Sequence, residues 1–332
     1  MPHHSRSPDE GRRRRENERP RRSICDPNNP FQALTANEFL EKFRISKSTA
    51  VIVLCHLESS DLTDDEFPLH LQLLSTLAYY GTGQCASAEA ILGVSGTAVK
   101  LLIGEVSKGI CRQMKNRYLF FPNHQELAAF QTEFNNIVQI PNVIGCLSSI
   151  YVPVRVRLGR EMGVNNIYYG DQFMKVLVVC GPQGQITHII AQTYDAFHDW
   201  EIFCDSMLLT RLTTGEYGDV VLIVDETYPT HPYLLRPVDS PTFPSDDQFN
   251  ISHFIVRYLT HQKFQVIMTR FPCLTCGMEP LYPTNLDIVL ACAVLHNVCL
   301  RCGTPLPSPR EPSMTQNEEQ DQRHFYTHVM EE

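Results

Sequence analysis

The 332-residue chain has no apolar run long enough to cross a bilayer: the longest, Ile288 to Leu300, is interrupted by His296 and Asn297 and falls short of the ~18 residues needed. No transmembrane helix and no membrane partner are expected. The opening residues, MPHHSRSPDEGRRRR, carry arginines without a hydrophobic stretch behind them, so they do not read as a secretory signal, and residence inside the cell is expected. Nor are the 12 cysteines gathered in one short segment, which excludes a disulfide scaffold. Scattered over both halves, they read as free thiols, mostly small buried hydrophobes. Carboxylates are missing from two stretches: no Asp or Glu lies between Glu133 and Glu161, or between Asp247 and Glu279.

What is present suits about two globular domains, with 43% hydrophobic and 20% charged residues. The net charge of -9 is unevenly distributed. Residues 1–22 hold eight arginines against four acids, a composition that cannot bury enough apolar area to offset chain entropy. Residues 1–34 are therefore expected to be a disordered tail, serving as a nuclear import signal or a nonspecific phosphate contact, or simply solvated. Residues 303–332, Pro-rich and then acidic, are expected to be a second disordered tail.

Between the tails, residues 35–140 repeat apolar positions at three and four spacing and predict an all-helical domain. Within QCASAEAILGVSGTAVKLLIGEVSKGI a short helix meets a Gly93-Val94-Ser95 turn and a second helix, capped by Ser95, with Val99, Leu102 and Val106 facing inward. This is the layout of a helix-turn-helix. Lys100, Lys108, Arg112, Lys115 and Arg117 against the single acid Glu105 suit a phosphate-facing helix, making Lys100, Lys108 and Arg112 candidate DNA contacts. An ordinary helical hairpin has the same layout, and that alternative stays open.

From residue 141 to 302 the pattern changes. VIGCLSSIYVPV, QFMKVLVVC and QITHIIAQTY are β-branched strands, the last two joined by a Gly181–Gly184 turn. A helix from about Trp200 to Leu212 follows, then a buried-type strand, Val220 to Val224, ending in Asp225, and long helices over 249–271 and 286–299. The fold class is α/β: a helical domain with a helix-turn-helix, then a ribonuclease-H-like mixed sheet with C-terminal helices. Ligands of open α/β sheets gather at strand carboxyl ends, which marks Asp225.

The ordered motifs EFLEKFRIS, LLSTLAYYGTG, GVSGTAV, IPNVIGCLSSIYV, FHDWEIF, VVLIVDETYP, FN(x)2H(x)3R, TRFPCL and LACAVLHN run from about Asn37 to Cys302. Together they resemble the Harbinger transposase-derived nuclease family of the DDE superfamily. The resemblance implies DNA phosphodiester hydrolysis by two divalent metals, Mg²⁺ or Mn²⁺, held by an Asp of the first strand, an Asp ending the fourth and a Glu on the following helix. It also implies a nuclear protein, with cytoplasmic residence as well, DNA as partner, and a Myb/SANT-like protein that supplies DNA binding and import.

Carried over residue by residue, the fourth-strand Asp falls on Asp225 and the Asp of the family's HDS-type motif on Asp199. The first-strand Asp falls on Ser148 and the helix Glu on His261. The two acid-free stretches mean that a slip in register replaces neither lost carboxylate. Asp199, Asp225 and His261 are then the candidate metal ligands, and weak ones, since a neutral imidazole suits Zn²⁺ or Mn²⁺ better than Mg²⁺. Asp199 capping a helix at Trp200 is an equal reading. His253, Arg257 and His261 recur every four residues, a face able to hold phosphate directly or merely to be solvated. Cys273-x-x-Cys276 and Cys299-x-x-Cys302 have zinc-pair spacing, but the residues around Cys273 match motifs that read as core, so zinc is not the expected occupant. Two functions compete: a metal-dependent nuclease, and a catalytically silent descendant that binds DNA, chromatin or a protein.

Overall fold

A computed structural model describes residues 29–58, 67–138, 140–160, 167–192, 198–278 and 284–309; the Arg-rich stretch 1–28 and the acidic stretch 310–332 lie outside the described residues. Helices come first: α1 (Pro30–Ala33), α2 (Ala36–Phe43), α3 (Lys47–Leu57), α4 (Leu69–Tyr80), α5 (Cys85–Leu92), α6 (Gly96–Tyr118) and α7 (His124–Val138). Their starts follow from capping chemistry. Thr35 Oγ1 accepts from Glu38 N while Glu38 Oε2 accepts from Thr35 N, a capping box, and Ser46 accepts from Thr49 N. Gly93 takes the left-handed φ of 68° that ends α5, Ser95 caps α6, and the chain turns through 108° between the two helix axes. The inward set on α6 is as expected, with Val99, Leu102 and Val106 buried.

The sheet contains β1 (Val143–Arg160), β2 (Ile167–Cys180), β3 (Ile186–Gln192), β4 (Val221–Ile223) and β5 (Leu234–Leu235), in the order β3-β2-β1-β4-β5. The first three strands are antiparallel; β4 runs parallel to β1, and β5 parallel to β4. This order and polarity are consistent with a ribonuclease-H-like sheet. Side-chain alternation divides the β2 residues between two cores. Met174, Val176 and Val178 join Ile150, Val152 and Val154 in a core continuous with α2–α6, whereas Leu177 and Val179 pack with Leu147, Leu222 and Val224 beneath α8 (Asp199–Cys204) and α9 (Met207–Thr213). The first core is completed by residues of α10 (Pro244–Arg270) and α11 (Thr284–Arg301).

Two expectations change. The single helix over Trp200–Leu212 is two helices, because Ser206 turns the chain: its N–H reaches Phe203 O, and its hydroxyl accepts from Leu209 N to start α9 anew. The described parts of the presumed tails are also anchored. Phe31 packs 5.0 Å, centroid to centroid, from Phe39. At the other end, buried Arg44 donates to Thr269 O, Arg270 O and Ser308 O, while buried Arg270 donates to Arg44 O, Thr304 O and Pro305 O. Two guanidiniums thus bind residues 304–308 to α2 and α10 by hydrogen bonds that composition does not reveal. Gly81 lies against this knot; a Cβ there would come within 2.9 Å of Arg44 Cγ.

Candidate active site at the sheet's carboxyl end

Cys146 pairs with Ile223 across the parallel β1–β4 ladder; Ser148 lies two residues further along β1, and Asp225 two residues past Ile223, just beyond the end of β4. Of the two, only Asp225 is a carboxylate. Ser148 is half-buried, and its hydroxyl lies 3.8 Å from Cys146 Sγ.

Asp225 is already engaged. Its Oδ1 accepts from Thr227 N at 3.1 Å and from Thr227 Oγ1, an Asx turn that fixes the carboxylate at the strand end. Its Oδ2 accepts from Arg257 Nη2 of α10 at 3.2 Å, and the same guanidinium lies 3.8 Å from Glu226 Oε2. A protein cation thus already pairs with this carboxylate.

Asp199 has its own cation. It does not cap α8: His198 is the N-cap, and Asp199 is the first helical residue, where a negative charge favours the helix dipole. Lys175 of β2 reaches it with Nζ 2.5 Å from Oδ1. The same ammonium lies over the ring of Tyr151, its cross-strand partner. Burial alone would depress the Lys175 pKa, but the Asp199 hydrogen bond and charge outweigh it, and the value is raised. Lys175 was absent from the expected site, though it was signalled as the sole charge in an apolar strand, QFMKVLVVC.

Buried Tyr228 lies within electrostatic reach of both carboxylates. Its hydroxyl has no hydrogen-bond partner among the described residues; desolvation, then the charges of Asp199 and Asp225, raise its pKa. The side chain packs edge-on against Phe203.

The helix residues are dispersed rather than aligned. His253 is buried, its Nε2 3.0 Å from Leu235 O, with its pKa lowered by desolvation. Arg257 is half-buried, and His261 is exposed, its Nε2 3.0 Å from Gln265 Nε2. Each step of four residues rotates the side chain about 40° around a 3.6-residue helix, so three such residues pass from core to solvent. His253 is therefore no part of an open phosphate-facing surface.

On α6, Lys100 and Arg112 are exposed and Lys108 is half-buried, its Nζ 3.2 Å from Glu105 Oε1. Lys108 and Arg112 also act electrostatically on Asp287 of α11, whose pKa is raised by desolvation against their pull. Among the cysteines, Cys273 and Cys299 are buried, Cys276 is half-buried and Cys302 is exposed; Cys273 Sγ lies 3.9 Å from Cys292 Sγ instead. Among the described residues, no three His, Cys, Asp or Glu side chains converge as a metal site. A two-ion centre needs several carboxylates between its hard cations. One hydroxyl, one exposed imidazole and two carboxylates already neutralised by Arg257 and Lys175 do not fit that requirement.

A family profile described as DDE superfamily endonuclease matches residues 158–297. The chain is 24% identical over 260 residues to the Homo sapiens protein named "Putative nuclease HARBI1", covering 76% of this chain and 74% of that one. It is 25% identical over 260 residues to the Rattus norvegicus protein of the same name, covering 75% and 74%. The chain is thus similar to proteins named as putative nucleases of the Harbinger kind and, over residues 158–297, to the DDE superfamily, at about 25% identity and over part of its length. No solved structure matches it.

Proposed function

We propose that this chain is a Harbinger transposase-derived, DDE-type nuclease-like protein in which the ancestral reaction, divalent-metal hydrolysis of DNA phosphodiesters, has been silenced. What it retains, on this reading, is binding: residues 35–140 form a helical domain that meets DNA through a helix-turn-helix, α5–turn–α6, and residues 141–302 form a nuclease-type domain that no longer cuts. Nuclear residence, and a Myb/SANT-like protein partner, belong to the same proposal.

The observation that carries it is the Arg257–Asp225 ion pair just past the end of β4, with a serine, Ser148, at the position where the resemblance places the first-strand acid. In a two-metal nuclease the cations draw the attacking and leaving oxygens into line, and carboxylates hold the cations. Here a guanidinium takes up the fourth-strand carboxylate, and its partner position offers only a neutral hydroxyl. Removing Lys175 or Arg257 alone does not restore the missing acids. Lys100 and Arg112 remain exposed on α6, where they can meet phosphate as point charge and fork respectively.

The test is cleavage of supercoiled plasmid with Mg²⁺ and with Mn²⁺. Wild type is expected to nick no faster than Asp225→Ala; nicking by wild type that disappears in Asp225→Ala would return the chain to the enzymes. In parallel, Lys100→Glu with Arg112→Glu should weaken duplex binding and flatten its salt dependence. Unchanged binding would remove α6 from the DNA interface.

A further inference from the structure

Residues 304–308 form a strap without regular secondary structure after α11, and its two ends are held differently. Thr304 is buried: its N–H donates to Cys299 O at 2.9 Å, and its hydroxyl lies 2.6 Å from Thr49 Oγ1. Ser308, at the other end, is exposed. Its N–H and its hydroxyl both donate to Glu41 Oε1 of α2 at 3.0 Å, while its carbonyl accepts from Arg44 Nη2 at 2.9 Å. Glu41 Oε2 in turn lies 3.6 Å from Arg44 Nη1. The outer end of the strap thus relies on a serine hydroxyl acting as donor to a carboxylate, and the next residue is the exposed Pro309.

We infer that Ser308 is a phosphorylation site for a proline-directed protein kinase, and that the phosphate releases the outer end of the strap from α2. In the reaction the bond from the γ-phosphorus of ATP to its bridging oxygen breaks and a bond to Ser308 Oγ forms. ADP leaves, and the hydroxyl proton passes to the kinase's catalytic base. Pro309 supplies the recognition: a cleft that leaves the N–H after the serine unpaired tolerates proline, which has none, and penalises other residues. Exposure supplies the access, since only the bonds to Glu41 and Arg44 need open. Among the described residues the same dipeptide type recurs at Thr304-Pro305, where the threonine is buried, and at Ser240-Pro241, exposed ahead of α10. The consequence at Ser308 is electrostatic. A phosphate carries a charge of about -1.5 to -2 and no hydrogen on Oγ, so a donor to Glu41 becomes an anion facing it. Arg44 is committed elsewhere: its buried guanidinium also donates to Thr269 O and Arg270 O, and turning to the phosphate strips those carbonyls of their donor. The inference does not rest on the silencing of the nuclease-type site.

The full chain, treated with an active mitogen-activated protein kinase and Mg²⁺-ATP, tests it, with phosphate mapped by peptide mass spectrometry and amide exchange read by NMR. Phosphate should appear on Ser308, and exchange of the Ser308 N–H should speed up by about tenfold or more. The Thr304 N–H, held by Cys299 O, should keep its protection, which separates local release from unfolding. Glu41→Gln keeps an acceptor oxygen but removes the charge; it should be phosphorylated equally and lose most of the acceleration. Ser308→Ala treated alike should show no acceleration at residue 308, which separates Ser308 from Ser240. A chain left unmodified at Ser308 overturns the inference. So does a phosphorylated chain whose Ser308 N–H is as protected as before, or more so because Arg44 captures the phosphate. An acceleration that survives undiminished in Glu41→Gln, or that arises in Ser308→Ala, overturns it as well.

Discussion

Arg257 Nη2, on α10, donates to Asp225 Oδ2, just past β4, at 3.2 Å across 32 positions of sequence. The bond joins the elements that a ribonuclease-H-like site must bring together, and it does so with a protein cation.

Both partners of this pair are part-exposed, so its contribution to stability is modest. Arg257→Met is expected to cost about 1 kcal/mol in urea unfolding, and Asp225→Asn in that background should add little. Additive losses in the double-mutant cycle would show that the two side chains are not coupled.

The Lys175–Asp199 pair gives a signature at alkaline pH. The lysine pKa is raised in the folded protein, so its stabilisation is full below the unfolded value of about 10.4 and is lost as pH rises through the folded one. The stability difference between wild type and Lys175→Met should hold constant from pH 6 to 9 and shrink above roughly 10.5. A difference still undiminished in strong alkali would mean that Lys175 contributes packing and not charge.

One half-buried and one buried histidine set acid sensitivity. Desolvation lowers both His188 and His296 to about 4, and His296 Nε2 lies 3.0 Å from Gly184 O. Between about 6.5 and 4 the unfolded chain binds protons that the folded chain refuses, so stability falls as pH falls, by up to about 1.4 kcal/mol per pH unit for each histidine. His296→Gln should remove one share of that slope in denaturant titrations at several pH values; an identical slope would acquit His296.

The Arg44–Arg270 knot is the most consequential for folding. Each guanidinium satisfies buried carbonyls, and truncation leaves them without donors. Arg44→Met or Arg270→Met should destabilise by about 3 kcal/mol and release residues 304–308 to rapid amide exchange. Continued protection there would show that the segment is held by packing alone.

The sequence by itself marked most of the elements in their order, but not α1, the break at Ser206 between α8 and α9, or β5. Three and four spacing marked the helices, β-branched runs marked β1 to β3, Gly93 and Ser95 marked the turn before α6, and the two acid-free stretches already ruled out carboxylates at positions 148 and 261. These signals are local, each confined to a turn of helix, a strand or a single position. Tertiary structure alone decided that Arg257 and Lys175 would neutralise the two remaining acids, that His253 would turn inward to Leu235, that Arg44 and Arg270 would secure the chain's last described residues, and that the stripe from Ile251 to Leu259 would face outward. Ion pairs and burial depend on which distant surfaces meet, and residues dozens of positions apart carry no periodic mark of their eventual neighbours.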